Sequence, residues 1–180
     1  MAIMKAAFHV AIASALSLGI LCAQQSPPAQ ASVAIGGKTV SVKYSAPSVR
    51  GREGHLFGAG EKISHDPNYP VWRAGANSAT TLHTDADLDI GGLAVPAGTY
   101  TLFVQVEKPD AWELIVNKQT GQWGLRYDKT QDLGHVKLTM SKPPAMVETL
   151  KYTLSDLGGG KGALELSWED HVASVPIAVK

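Results

Sequence analysis

The sequence predicts an all-β protein: an antiparallel two-sheet sandwich or jelly roll of about ten strands, preceded by a cleaved signal peptide. Three observations carry this reading. Apolar and polar residues alternate along most of the chain, which puts alternate side chains on opposite faces of a sheet. Clusters of Gly, Pro and Asp punctuate the alternating runs at turn positions. Beyond residue 23, no stretch shows the periodicity of an amphipathic helix.

Taken in order, Lys5 supplies a short positive region and Ala6 to Leu21 is mostly apolar, broken by His9, Ser14, Ser17 and Gly19. That run is too short and interrupted for a membrane span and reads as a secretory signal, with cleavage expected after Ala23. Residues 24–31 (QQSPPAQA) are Pro- and Gln-rich and predict a flexible leader, followed by a single domain over residues 32–180. After a Gly36-Gly37 turn, Val40, Val42 and Tyr44 alternate with Thr39, Ser41 and Lys43. Tyr100, Leu102, Val104 and Val106 alternate with Thr101, Phe103, Gln105 and Glu107. A turn at Lys108–Ala111 then leads to Trp112, Leu114 and Val116.

The C-terminal half repeats the theme. Runs at Val136–Met140 and Leu150–Leu154 precede a Gly158-Gly159-Gly160 turn, which leads into Leu164, Leu166 and Trp168. Glu169-Asp170 is expected to turn the chain into Val175, Ile177 and Val179. Pro176 lacks an N–H, so that strand is expected at an edge or with its missing donor directed outward. The stretch from Ser45 to Pro70 has little periodicity, and long irregular loops are where sites tend to lie.

Composition narrows the function. Lys plus Arg and Asp plus Glu are 16 each, which gives no electrostatic footprint for nucleic acid or an anionic membrane. Hydrophobic residues at 44% are enough for a packed core. Cys22 is the only cysteine, and Leu21 before it argues against lipidation. After cleavage at Ala23 the mature chain has none, so disulfides and Cys-type zinc sites are excluded. The glycine-rich stretches lack phosphate-loop and dinucleotide fingerprints, and no cofactor is expected.

Four groups of residues are candidates for chemistry. Trp72, Arg73 and Asn77, with Asn117, Gln122 and Trp123, combine aromatic faces with amides and a guanidinium, as a polar-ligand pocket does. The same residues serve equally as core filling and loop satisfaction. Arg50 and Arg52 flank Gly51 and could take an anion, or simply form a solvated loop. His83, Asp85, Asp87 and Asp89 read as a solvent face and turn. The EF-hand pattern fails there, with Ile90 and Pro96 at the positions requiring Gly and Glu. His55, His65, His83, His135 and His171 lack zinc-motif spacing, so no metal is expected, although a His–carboxylate pair can be assembled in space.

Several segments bear a family resemblance. Tyr44-Ser45, Pro47-Ser48, Gly51-Arg52 and Phe57-Gly58 come first, then Trp72-Arg73-Ala74-Gly75-Ala76-Asn77 and Ala79-Thr80-Thr81. Pro96-Ala97-Gly98-Thr99-Tyr100, Asn117-Lys118 and Gln122-Trp123-Gly124 complete the set. Through them the chain resembles the bacterial domain-of-unknown-function family 2911. The resemblance implies an exported β-rich domain and no known activity. Ala46 and Ser78 depart from the pattern, standing where many relatives carry Arg and Glu, which argues against catalysis.

The expected function is therefore an extracytoplasmic, periplasmic or secreted β-domain that binds a small polar ligand or glycan. A hydrolase using His and carboxylate groups and an envelope interaction module are the alternatives.

Overall fold

Among the described residues, alternation becomes thirteen strands in two antiparallel sheets. The computed structural model describes residues 25–180. The expected signal peptide, residues 1–23, lies outside them. Among the described residues no helix is long and apolar enough to cross a membrane.

The strands are β1 (Pro28–Ile35), β2 (Lys38–Ser45), β3 (Val71–Trp72), β4 (Thr80–Thr84), β5 (Leu88–Ile90), β6 (Leu93–Val95), β7 (Gly98–Lys108), β8 (Ala111–Asn117), β9 (Asp132–Lys137), β10 (Thr139–Ser141), β11 (Val147–Gly158), β12 (Lys161–Glu169) and β13 (His171–Val179). One sheet runs β1-β2-β4-β7-β8-β9, with β3 also pairing β7. The other runs β11-β12-β13-β5-β6, with β10 also pairing β13. Val40, Val42, Leu82, Leu102, Val104 and Leu114 from the first sheet meet Ile90, Leu150, Leu164, Leu166, Val175 and Ile177 from the second. Each such side chain contributes about 1.5–3 kcal/mol by leaving water.

Turn chemistry follows the residues. Gly36 and Gly37 take φ of +57° and +78°, which closes the β1–β2 hairpin with Ile35 opposite Lys38. The β7–β8 turn lies where expected, with Lys108 paired to Ala111 and Pro109 and Asp110 between them. Gly162 in β12 has to lack a side chain. An added Cβ would lie 2.5 Å from both Ile35 Cδ1 and the Ser155 carbonyl oxygen.

Three sequence expectations need correction. Residues 28–31 are not flexible leader but the first half of β1, with Pro28 to Ala31 paired to Ser45 to Val42. The Pro-rich composition misleads because a one-sided ladder needs fewer N–H donors than a central strand. Of the two placements expected for the Pro176 strand, the edge is overturned, since the strand is central between β12 and β5, and the missing donor directed away from a ladder is what remains. Pro176 sits between the β10 contacts at Val172–Ser174 and the β5 contacts from Ile177 onward. Its carbonyl accepts from Gly91 N–H at 3.0 Å, so its missing N–H faces that same gap and breaks no ladder. Finally, β7 and β8 are buried on both faces. Phe103 and Ile115 lie outside the central core cluster, and Phe103 meets the Tyr127 ring edge-on at 4.9 Å, covered by the segment between β8 and β9.

Candidate functional site

The β12–β13 turn combines a non-glycine residue at positive φ with a buried carboxylate. Trp168 pairs with His171, leaving Glu169 and Asp170 as the turn. Glu169 has φ +56°, a conformation that hairpin turns ordinarily give to Gly, Asn or Asp. Its side chain points inward and the residue is only 3% exposed. Oε1 accepts a hydrogen bond from Gly54 N–H, in the irregular loop between β2 and β3. Backbone strain and a buried carboxylate both cost stability at this one position.

His171 begins β13 and packs into an aromatic hub. Its ring stacks on Trp112, with centroids 5.0 Å apart and planes at 12°. Phe57 from the irregular loop lies 4.8 Å from both His171 and Trp112. Behind it Trp72 stacks on Trp168 at 5.7 Å. Asp170 Oδ1 lies 2.7 Å and Glu169 Oε2 3.9 Å from His171 Nδ1. Nδ1 is nevertheless buried without a well-directed hydrogen bond, so the Asp170 oxygen lies off the ring N–H axis. Burial pulls the imidazole below its ordinary value, outweighing the Asp170 and Glu169 carboxylates that would raise it.

A hollow of about 300 Å³ opens over this turn, lined by Pro109, Asp110, Met140, Ser141, Lys142, Asp170 and His171. The β7–β8 turn supplies Pro109 and Asp110. Strand β10 pairs Ser141 with Val172 and so carries Lys142 to the rim. Lys142 Nζ is 3.5 Å from Asp170 Oδ2. Glu169, Asp170 and His171 are the one group of three His, Asp or Glu residues that converge as metal ligands would among the described residues. A second hollow, about 280 Å³, shares Asp110 and is walled by Trp112, Glu113 and Lys137.

The residues singled out from sequence fall into separate places. Trp72 is buried in the aromatic hub. Its neighbour Arg73 sits with the loop pair 73–79 and 122–124. There Arg73 Nη2 lies 3.7 Å from Asp66 Oδ2, while its Nε is buried without a partner. Its stem lies against Gly124, where an added Cβ would come within 2.7 Å of Arg73 Cδ and of the Asn77 carbonyl oxygen. Asn77 (φ +58°) donates from its side chain to the Ser26 carbonyl at 3.3 Å, and its own carbonyl accepts from Gly124 N–H at 2.9 Å. Gln122 Nε2 donates to Thr101 Oγ1 at 3.2 Å. Trp123 is 49% exposed and bridges to Ser78, which lines a separate hollow with Lys43, Tyr44 and Thr81.

Asn117 belongs to a different polar knot. It donates to the Asp128 carbonyl at 2.9 Å and to Asp132 Oδ1 at 2.8 Å, and Asp132 Oδ2 also accepts from Tyr127. Arg52 donates to the carbonyls of Val49 and Ser48, each at 2.7 Å, and so clamps its own loop. Arg50 N–H donates to Glu148 Oε1 at 3.0 Å. The expected carboxylate face at Asp85–Asp89 divides between the two sheets, and Asp87 and Asp89 cap backbone N–H groups of Ala97 and Gly92.

Sequence reading missed Glu169, Asp170 and Lys142 as site residues and treated His171 as one isolated histidine. The available signal was a Glu where a hairpin turn calls for glycine. A family model described as "Protein of unknown function (DUF2911)" matches residues 26–177. The chain belongs to the DUF2911 family. No curated protein and no solved structure matches it. In this DUF2911 domain the Trp72–Asn77 segment ties the fold together. The carbonyl of Ala74, itself at φ +48°, accepts from Thr80 Oγ1 and from Tyr152 O–H, each at 3.0 Å.

Proposed function

We propose that the domain is exported and binds a small polar ligand in the hollow above His171. The observation that carries this reading is Glu169, whose positive φ and buried carboxylate both oppose stability next in sequence to Asp170 and His171, which line the hollow. Strain retained at such a place is characteristic of binding and catalytic positions. The volume of about 300 Å³ suits a ligand at the small end of the usual range. Lys142, Asp170, Asp110 and Ser141 offer charge and hydrogen bonding of both signs, and Met140 and Pro109 give apolar walls.

Calorimetric titration with phosphate, acetate, free amino acids and monosaccharides tests the reading. At least one probe should bind, with affinity reduced at least about tenfold by Lys142→Ala or His171→Gln. Binding that survives both changes but disappears in Trp123→Ala would move the site to the loop pair around Gly124.

A second reading, hydrolysis, is favoured by His171, Asp170 and Ser141 lining the same hollow. It requires turnover of an ester or phosphoester panel that is lost in both Ser141→Ala and His171→Gln.

A further inference from the structure

We propose that Glu169, Asp170 and His171 form a binding site for a divalent transition cation, zinc in the first instance, whose open coordination positions face the hollow. The inference deepens the ligand-binding reading, since it names what the polar wall of that hollow holds.

One nitrogen and two carboxylate oxygens from three consecutive residues lie within 4.8 Å of one another. Ligand atoms about 2.0–2.1 Å from a tetrahedral zinc stand roughly 3.3 Å apart. His171 Nδ1 lies 2.7 Å from Asp170 Oδ1 and 3.9 Å from Glu169 Oε2, which bracket that spacing. Each of these two separations differs from that spacing by about 0.6 Å, and the Glu169 and Asp170 oxygens lie within 4.8 Å of each other, so side-chain rotations would have to bring the three onto one ion.

Two further observations point the same way. His171 Nδ1 is buried with no hydrogen-bond partner, although a carboxylate oxygen is beside it. Two donors that converge on a common ion lie off each other's axes in this manner, whereas a simple imidazole–carboxylate pair aligns. The Glu169 carboxylate is buried, yet among the described residues no Lys or Arg forms an ion pair with it; the titratable group beside it is the His171 imidazole. A buried carboxylate without a counter-charge is strongly disfavoured, and a cation at this point supplies one.

The surroundings also hold the ligands in place. Gly54 N–H binds Glu169 Oε1 and leaves Oε2 toward His171. The stacked Trp112 and the adjacent Phe57 fix the imidazole plane. Such outer contacts are what orient metal ligands. A mixed imidazole and carboxylate set favours zinc-like ions over calcium or magnesium, whose shells are built from oxygen. Three protein ligands leave room for a water or a ligand atom from the hollow, the arrangement of an open zinc site.

Calorimetric titration of Zn²⁺ into the chelator-treated, dialysed full chain is the test, with Co²⁺ absorption as a second readout. One ion per chain is expected to bind. Asp170→Asn, at an exposed turn position, and His171→Gln should each weaken binding at least about tenfold. His135→Gln, in the separate cluster with Asp132 and Glu113, should leave it unchanged. Failure of the folded wild type to take up one ion, or uptake retained in both Asp170→Asn and His171→Gln, would overturn the inference. The small-ligand probes are titrated with and without Zn²⁺. Ligand binding without zinc uptake removes the cation and keeps the pocket, whereas zinc uptake with no ligand in either condition removes the pocket reading and keeps the cation.

Discussion

Replacing Glu169 by Gln removes a formal charge and little else. The amide oxygen still accepts from Gly54 N–H, and the side chain keeps its length and its place behind the β12–β13 turn. Converting a charge-assisted hydrogen bond to a neutral one loses about 1 kcal/mol. Against that, a carboxylate buried to 3% exposure with no Lys or Arg partner carries a desolvation penalty of several kcal/mol, part of which the neutral amide escapes. The balance predicts that Glu169→Gln is as stable as wild type or more stable, by up to about 2 kcal/mol, in the absence of added metal. Urea unfolding followed by tryptophan emission, analysed by linear extrapolation, measures this directly. Zinc should stabilise the wild type and do little for the variant. A loss of more than about 1 kcal/mol in metal-free Glu169→Gln would refute the reasoning, because the carboxylate would then serve the fold and not the site.

Other consequences of the structure are equally accessible. Trp72→Ala empties the aromatic hub where Trp72 meets Phe57, Trp112 and Trp168, and should lower unfolding free energy by about 3–5 kcal/mol; a change under 1 kcal/mol in urea unfolding would show that the hub is not packed as described. Gly162→Ala drives a methyl group against Ile35 and the Ser155 carbonyl, and should cost about 1–3 kcal/mol by the same assay, unlike Ala at an open strand position. Alkaline pH should destabilise the fold through tyrosine. Burial raises the phenols of Tyr127 and Tyr152 above the ordinary value of 10, so their stabilising contribution is complete below pH 10 and declines as pH rises beyond it. Tyr127→Phe should flatten that decline in a series of urea midpoints between pH 9 and pH 11, and an unaltered slope would remove Tyr127 as its cause.

The fold was legible because its signal is local. Period-two runs such as Val40-Val42-Tyr44 and Leu164-Leu166-Trp168 reflect one-sided burial, and the glycines at 36–37 and 158–160 mark the turns between them. Strand β1 was hidden because PPAQA has little apolar content; its order comes from the β2 ladder beside it. Two-sided burial of Phe103 and Ile115 was hidden because the covering segment lies beyond β8 in sequence.

The site was less legible for a related reason. Its wall is assembled from the turn at Pro109–Asp110, the end of β10 and the turn at Asp170, which only the sheet topology brings together. Trp72 and Arg73 were conspicuous in sequence but are separated in space. Trp72 enters the hub behind His171, whereas Arg73 packs on Gly124. The Glu at a turn position that favours glycine is written in the sequence, but its positive φ and inward side chain follow only from the backbone geometry.

The four tryptophan indole N–H resonances give the most direct test that the sandwich end is where ligands are received. Trp112 Nε1 is buried without a hydrogen-bond partner and its ring stacks on His171, whereas Trp123 stands exposed elsewhere. Titrating zinc, then the small polar probes, into ¹⁵N-labelled protein should move the Trp112 resonance while that of Trp123 stays in place. Movement of Trp123 with Trp112 unchanged would contradict the account.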